Sequence, residues 1–303
     1  MKQSDEVLPV GGFQDTPLAN EISENTNRMA RVRSAVLEKP AKTRIFSVSN
    51  QKGGVGKTTT AVNLAVALAE KGMKVLVIDL DPQGNASTAL GIEHHMGVRS
   101  IYDALVDNVP IAELVQNSPE SENLLCVPAT LQLAGAEMKL YSLLAREYRL
   151  KNAIHQYLES AETKPDYVFI DCPPSLGQLT VNAFTAATEV LIPIQCEYYA
   201  LEGLTQLKIS IDVIRSETNP DLALSTILLT MYDSRTKLNA AVVDDVRAHF
   251  PTQTLETVIP RQIGVAEAPS YGQTVINYDR NSNGSISYME AAIELAKRGV
   301  TNG

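Results

Sequence analysis

The sequence predicts an α/β fold: a doubly wound, mostly parallel sheet with helices on both faces. Three observations carry that expectation. Short apolar runs rich in β-branched residues alternate with longer stretches of helical periodicity from about residue 44 onward, the pattern of strands buried on both faces. A glycine-rich string, Lys52-Gly53-Gly54-Val55-Gly56-Lys57-Thr58-Thr59, joins the first run to the first of these helices. Two later runs end in aspartate, at Asp79 and Asp171, where an α/β sheet presents the carboxyl ends of its strands to a ligand.

Taken in order, residues 1–43 lack sustained apolar periodicity and divide by charge. Asp5, Glu6, Asp15, Glu21 and Glu24 come first, then Arg28, Arg31, Arg33, Lys39 and Lys42. A flexible extension is expected there, in which 28–42 is either a solvated linker or a basic helix or arm that touches a partner or DNA. Residues 44–303 are expected to form a single domain. Its strands are expected at 45–49, 74–79, 124–127, 167–171, 189–194, 223–230 and 256–259. Its helices are expected at 57–71, 100–106, 111–116, 131–137, 142–160, 177–187, 202–217, 238–249 and 285–298.

At 303 residues and 44% hydrophobic, the chain can bury a full α/β core. Its start lacks a charged region followed by an apolar one, and no apolar run approaches the roughly 20 residues that span a bilayer; a cytoplasmic protein is expected. Cys126, Cys172 and Cys196 stand singly in apolar stretches, as buried reduced cysteines do and as zinc or iron–sulfur ligands do not. A net charge of −9 argues against whole-surface attraction to nucleic acid, so any DNA contact has to come from a local basic patch.

The glycine-rich string has the chemistry of a phosphate-binding loop. Backbone N–H groups must wrap a polyphosphate, which calls for Gly53, Gly54 and Gly56 at the tight points, a cation at Lys57 and a hydroxyl at Thr58. The following helix would place the anion at its N-terminus. The ordinary Walker A spacing asks for glycine where this chain has Gln51, and Lys52 comes next. A second cation beside a loop already served by Lys57 is most useful on phosphates elsewhere, such as those of a nucleotide held by a facing subunit, which implies a dimer. The alternative is a solvated lysine.

Asp79 and Asp81 lie two residues apart at the end of an apolar run and so project to one side of a pleated chain. Asp81 is the candidate to position an attacking water, and Asp79 to arrange the magnesium shell or the loop indirectly. Tyr167 to Asp171 has the shape of a Walker B element; Thr58 and Asp171, directly or through water, would hold Mg²⁺ together with β- and γ-phosphate oxygens. The segments Gly84-Asn85-Ala86-Ser87 and Pro174-Ser175-Leu176-Gly177 follow these carboxylates and look like switch segments that sense the γ-phosphate.

These strings resemble the ParA/Soj chromosome-partitioning ATPases of the deviant Walker A, MinD/ParA class of P-loop NTPases. The resemblance runs from about Arg44 to Arg298 and includes Asn50 to Thr59, Asp79 to Asn85, Ile170 to Ser175, Thr230 to Thr236, Ile259-Pro260-Arg261 and Glu267-Ala268-Pro269-Ser270. It implies an ATP-bound homodimer in which Lys52 crosses to the partner's phosphates, binding of non-specific DNA, and hydrolysis stimulated by a ParB-like centromere-binding protein. Lys52, Lys57 and Asp81 become the catalytic candidates. Residues 52–59 and Pro260, Arg261 and Gln262 become the nucleotide-binding ones. Arg235 matches a family position implicated in DNA contact, with Lys237 beside it. Gly264 stands where relatives commonly carry arginine, and Asp279 to Gly284 carries one arginine where they often carry more; both departures thin the expected basic face.

Two other functions stay open on the sequence. A MinD-like ATPase cycling on membranes needs an amphipathic C-terminal helix, whereas 285–303 offers Ile286, Met289, Ile293 and Leu295 with only Lys297 and Arg298, which reads as a helix packed on the domain. A metabolic P-loop enzyme needs a further acid, base or nucleophile cluster, and adjacent His94 and His95 read as a surface turn.

Overall fold

Alternate residues of the central apolar runs point into two separate cores. Ile45, Leu76, Ile78, Val168 and Ile170 pack on one side, and Phe46, Val48, Val75, Val77 and Phe169 on the other. This period of two is what a strand buried on both faces requires. The computed structural model describes residues 17–300.

Helix α1 (Pro17–Ser34) precedes β1 (Arg44–Val48), α2 (Lys57–Glu70) and β2 (Val75–Asp79). Then come α3 (Asn85–Ala89), α4 (Ile101–Asp107), β3 (Gln116–Asn117), β4 (Leu124–Val127), α5 (Ala136–Tyr141), α6 (Arg149–Ser160) and β5 (Tyr167–Asp171). The second half runs through α7 (Gln178–Ala186), β6 (Glu189–Gln195), α8 (Ala200–Glu217), β7 (Ala223–Tyr232) and α9 (Lys237–His249). It closes with β8 (Thr254–Pro260), α10 (Ile263–Glu267), α11 (Val275–Tyr278) and α12 (Asn283–Val300).

The eight strands form one sheet in the order β3-β4-β2-β5-β1-β6-β7-β8, parallel throughout except for the β3–β4 pair. The chain leaves β1 through the glycine loop and re-enters at β2, on the far side of β5. The carboxyl ends of β2, β5 and β1 therefore lie next to one another, with Asp79 and Val48 both in register with Asp171. This is the place where α/β sheets bind ligands. Helix α2 covers one face with Ala61, Leu64, Ala65 and Leu68 fully buried, and α12 lies beside it with Ile286, Met289 and Leu295 in the same core.

Sequence expectation and structure part company in several places. From residue 17 the expected flexible extension is a helix. Met29 and Val32 are buried in the core that holds Met289; Arg28 pairs with Glu290 at 2.6 Å and donates to Ser287 Oγ at 2.8 Å. Lys71 Nζ closes the far end of α1 by donating to the carbonyls of Val32 and Ala35. The buried stripe is too narrow to register as periodicity. Arg28 is thereby committed to α12 and Lys39 to Asp166, so the basic arm keeps Arg31 and Arg33 as its exposed charges on α1. Residues Asp5, Glu6 and Asp15 lie outside the described residues.

The helix expected at 111–116 is a single 3-10 turn, Ile111–Glu113, after which the chain turns to pair β3 against β4. The helix expected at 142–160 is interrupted. Ala145 adopts a left-handed backbone, φ 50°, followed by a 3-10 turn at Arg146–Tyr148, and regular helix begins only at Arg149. Likewise 131–137 is a 3-10 segment, Leu131–Gly135, running into α5. The short helices α3, α10 and α11 are too brief to show a period at all.

Candidate functional site

The loop between β1 and α2 is built by its glycines. Gly54 and Gly56 take φ of 74° and 88°, a region that costs a residue with a Cβ about 1–2 kcal/mol. Gly56 caps α2 without any side-chain hydrogen bond, which leaves the first N–H groups of that helix aimed at an anion position. The loop is braced from a distant strand: Thr230 Oγ1 at the end of β7 donates to the Val55 carbonyl at 2.9 Å.

The two lysines of the loop point to different places. Lys57 is buried, and its Nζ donates back to the Lys52 carbonyl at 3.2 Å. Burial lowers its pKa, opposed by the charges of Asp171 and Asp81. Lys52 is half exposed, and its Nζ pairs with Glu197, just beyond β6.

Three carboxylates converge on the same end of the sheet and are used differently. Asp79 is fully buried and accepts from Ser87 N at 2.8 Å, Ser87 Oγ at 2.7 Å and Asp81 N at 3.2 Å. Burial pushes its pKa up to about 6 against those bonds, with the Asp81 charge adding to the rise. Its oxygens are thus occupied in fastening the start of α3. Asp81 is mostly buried and accepts from Gln83 N at 3.0 Å. Asp171 is fully buried with neither oxygen in a well-formed hydrogen bond. Burial holds its pKa well above the usual carboxylate range and the Asp79 charge raises it further, while the nearby Thr58 hydroxyl and Lys57 oppose the rise. A buried carboxylate without partners next to a threonine hydroxyl is a donor set suited to a hard, oxygen-seeking cation.

Beside the loop lies a largely apolar cavity of about 330 Å³ lined by Gly56, Thr59, Thr230, Pro260, Arg261 and Gln262 among others. Gln262 Oε1 accepts from Gly284 N at 2.6 Å, which ties this wall to the start of α12. Arg235 and Lys237 do not line the cavity. They sit after β7, where Arg235 is exposed and pairs with Asp233 at 2.7 Å. Arg280, in the thinned basic segment, is paired with Glu70 at 2.6 Å. His94 lies outside any helix or strand and contacts Thr88 Oγ1 at 3.0 Å. The three cysteines are free and buried, and no cluster of metal-ligating side chains occurs among the described residues.

Glu197 and Thr230 are site residues to which sequence reasoning gives no role, and Ser87, read there only as part of a switch segment, is the partner of Asp79. Thr230 stands inside a string that carries the family resemblance, but only the fold reveals that it reaches Val55.

The family model AAA_31, an AAA domain, matches residues 43–224. The sporulation initiation inhibitor protein Soj of Bacillus subtilis is 48% identical over 256 residues, covering 84% of this chain and 99% of that protein. The chain belongs to the ParA/Soj family of chromosome-partitioning ATPases. The chromosome partitioning protein ParA of Myxococcus xanthus is 49% identical over 255 residues, covering 84% of this chain and 88% of that protein. Among solved structures, cobyrinic acid a,c-diamide synthase from Mycobacterium smegmatis with bound ADP and magnesium superposes with a TM-score of 0.74 at 37% identity, covering 86% of this chain and 97% of that one. This ParA/Soj family member is a P-loop ATPase, and its sheet and loop are those of the class. No helix among the described residues is long and apolar enough to cross a membrane.

Proposed function

We propose that this protein binds ATP with Mg²⁺, pairs with a second copy across the nucleotide, holds non-specific DNA in that state and lets go after hydrolysis. A ParB-like centromere-binding partner would stimulate the hydrolysis, and the cycle would move a chromosome or plasmid over the nucleoid in the cytoplasm. The observation that carries the reading is the division of labour between the loop's lysines, Lys57 turned inward and Lys52 turned out of its own loop.

In this reading the free N–H groups of residues 53–57 cradle the phosphates and Lys57 supplies the charge among them. The wall formed by Pro260, Arg261 and Gln262 receives the base. Thr58 and Asp171, directly or through water, are the residues fitted to hold magnesium, because Asp171 is the buried carboxylate left without partners. Magnesium would neutralise charge developing on the phosphate oxygens. Asp81 accepts a hydrogen bond from the attacking water and so orients it, and Asp79 acts through Ser87 by keeping α3 and the 84–87 segment in place. Lys52 crosses to the facing subunit's phosphates, which makes self-association depend on the nucleotide. Arg235 and Lys237 give sequence-blind contacts to DNA phosphates, with Arg31 and Arg33 of α1 available to supplement the thinned basic face.

The deciding experiment is DNA binding across a salt series with ADP, ATP and a non-hydrolysable analogue. Binding that requires the triphosphate, ignores sequence and falls steeply with salt supports the reading; equal binding with ADP refutes it. Asp81→Ala should abolish turnover and prolong DNA retention. A MinD-like membrane cycle is not favoured, since Ile286, Met289 and Leu295 of α12 are buried in the domain core.

A further inference from the structure

We propose that Glu197 is a competitor for Lys52 within the same subunit, so that the lysine reaches a facing nucleotide only by exchanging this carboxylate for phosphate. The proposal rests on the nucleotide-sandwich reading above and adds a regulating residue to it. Lys52 and Glu197 are 52% and 47% exposed and form an ion pair at the mouth of the loop. Their backbones are fixed from both sides. Lys52 N donates to Asn50 Oδ1 at 3.0 Å, and Asn50 Nδ2 donates to the Pro193 carbonyl of β6 at 2.8 Å. On the other side, Cys196 N donates to the Thr230 carbonyl at 3.2 Å, and the Cys196 carbonyl accepts from Asn239 at 2.9 Å. One strand therefore anchors the root of the phosphate loop and also carries, four residues later, the carboxylate that takes the loop's outward lysine.

The pairing sets a threshold. A single carboxylate outcompetes water for Lys52 but not a nearby polyphosphate of greater charge, so the exchange is favourable only when a facing subunit presents one. Because the pair is exposed, its effect is modest, about two- to fivefold in an equilibrium, and it weakens with salt. Glu197 is a positioning residue here: it acts through Lys52.

Two readouts test this. In the protein alone, Glu197→Gln should raise the rate at which an amine-reactive ester acylates Lys52, followed by peptide mass spectrometry, by about twofold or more. With a non-hydrolysable ATP analogue, sedimentation should show the Glu197→Gln dimer tightened about two- to fivefold at low salt. The gain should fade near 1 M salt and be absent when Lys52→Ala is added. If the wild type pairs with the analogue and Glu197→Gln changes neither readout, or weakens pairing, the competition is overturned while the sandwich reading stands. If the wild type does not pair at all, the sandwich reading falls and the competition with it.

Discussion

The side-chain amide of Asn239 holds the carbonyl of Cys196 at 2.9 Å, and its oxygen accepts the backbone N–H of Asp233 at 2.8 Å. One half-buried side chain on α9 thus ties the loop bearing Arg235 to the segment that leads into Glu197. Removing it with Asn239→Ala leaves two backbone groups to find other partners, a cost of about 1–2 kcal/mol. Urea unfolding should show a lower midpoint with an unchanged slope. A midpoint equal to wild type would mean that the two segments are held by other contacts.

Thr230 and Val55 are both buried, and their hydrogen bond joins positions 175 residues apart. Thr230→Val keeps the shape and loses the donor, stranding a buried carbonyl at about 1–3 kcal/mol. Because that carbonyl belongs to the phosphate loop, the loss should appear as weaker nucleotide binding as well as a lower melting temperature. Calorimetric titration with ADP separates the two; a melting change with unaltered affinity would confine Thr230 to a packing role.

Asp171 and Asp79 define a pH dependence. Burial raises Asp171 well above the usual range and Asp79 to about 6. A carboxyl whose folded pKa exceeds its unfolded value contributes fully below the unfolded value, and the contribution is lost as pH rises through the folded one. Metal-free protein should therefore lose stability as pH climbs from about 4 through 6 and above. Asp171→Asn should flatten that decline and melt at least ~2 °C higher than wild type at pH 8, about 1 kcal/mol for a chain of this size. Its turnover should fall roughly 10- to 100-fold. Melts in a chelating buffer at pH 5 and pH 8, with phosphate release measured separately, check both halves; wild type and variant melting alike at pH 8 would contradict the buried-charge account.

Arg28 fastens α1 to α12 through Glu290 and Ser287. Arg28→Ala should detach α1 locally and leave the sheet intact, speeding amide exchange in residues 22–34 roughly tenfold while global unfolding stays close to wild type. Exchange followed by mass spectrometry is the direct measurement, and uniform acceleration over the whole chain would argue against a local opening.

The central strands and the phosphate loop are legible in the sequence because each obeys a strong local rule. Burial on both faces demands an unbroken apolar run, as in β2 and β5, and a polyphosphate demands Gly54 and Gly56 followed by Lys57. Asp79 and Asp171 stand out for the same reason, each being a charge that ends an apolar run. What escapes is set by contacts distant in sequence. Nothing around Glu197 marks it as the partner of Lys52, 145 residues earlier. Helix α1 hides Met29 and Val32 among charges, and no glycine or proline marks the break at Ala145, beyond which Asn182 of α7 holds the chain through the Arg146 carbonyl and the Leu150 N–H. For Asp79 the sequence leaves open whether it arranges the magnesium shell or the loop, and only the fold shows its oxygens bonded to Ser87.

The docking of α1 on α12 joins residues as far apart as Arg28 and Glu290, 262 positions along the chain. A ribosome adding about 5–20 residues per second makes the first helix wait roughly 10–50 s for the last. Throughout that interval Met29 and Val32 lack the cover that α12 gives them, so α1 cannot dock until α12 has been made.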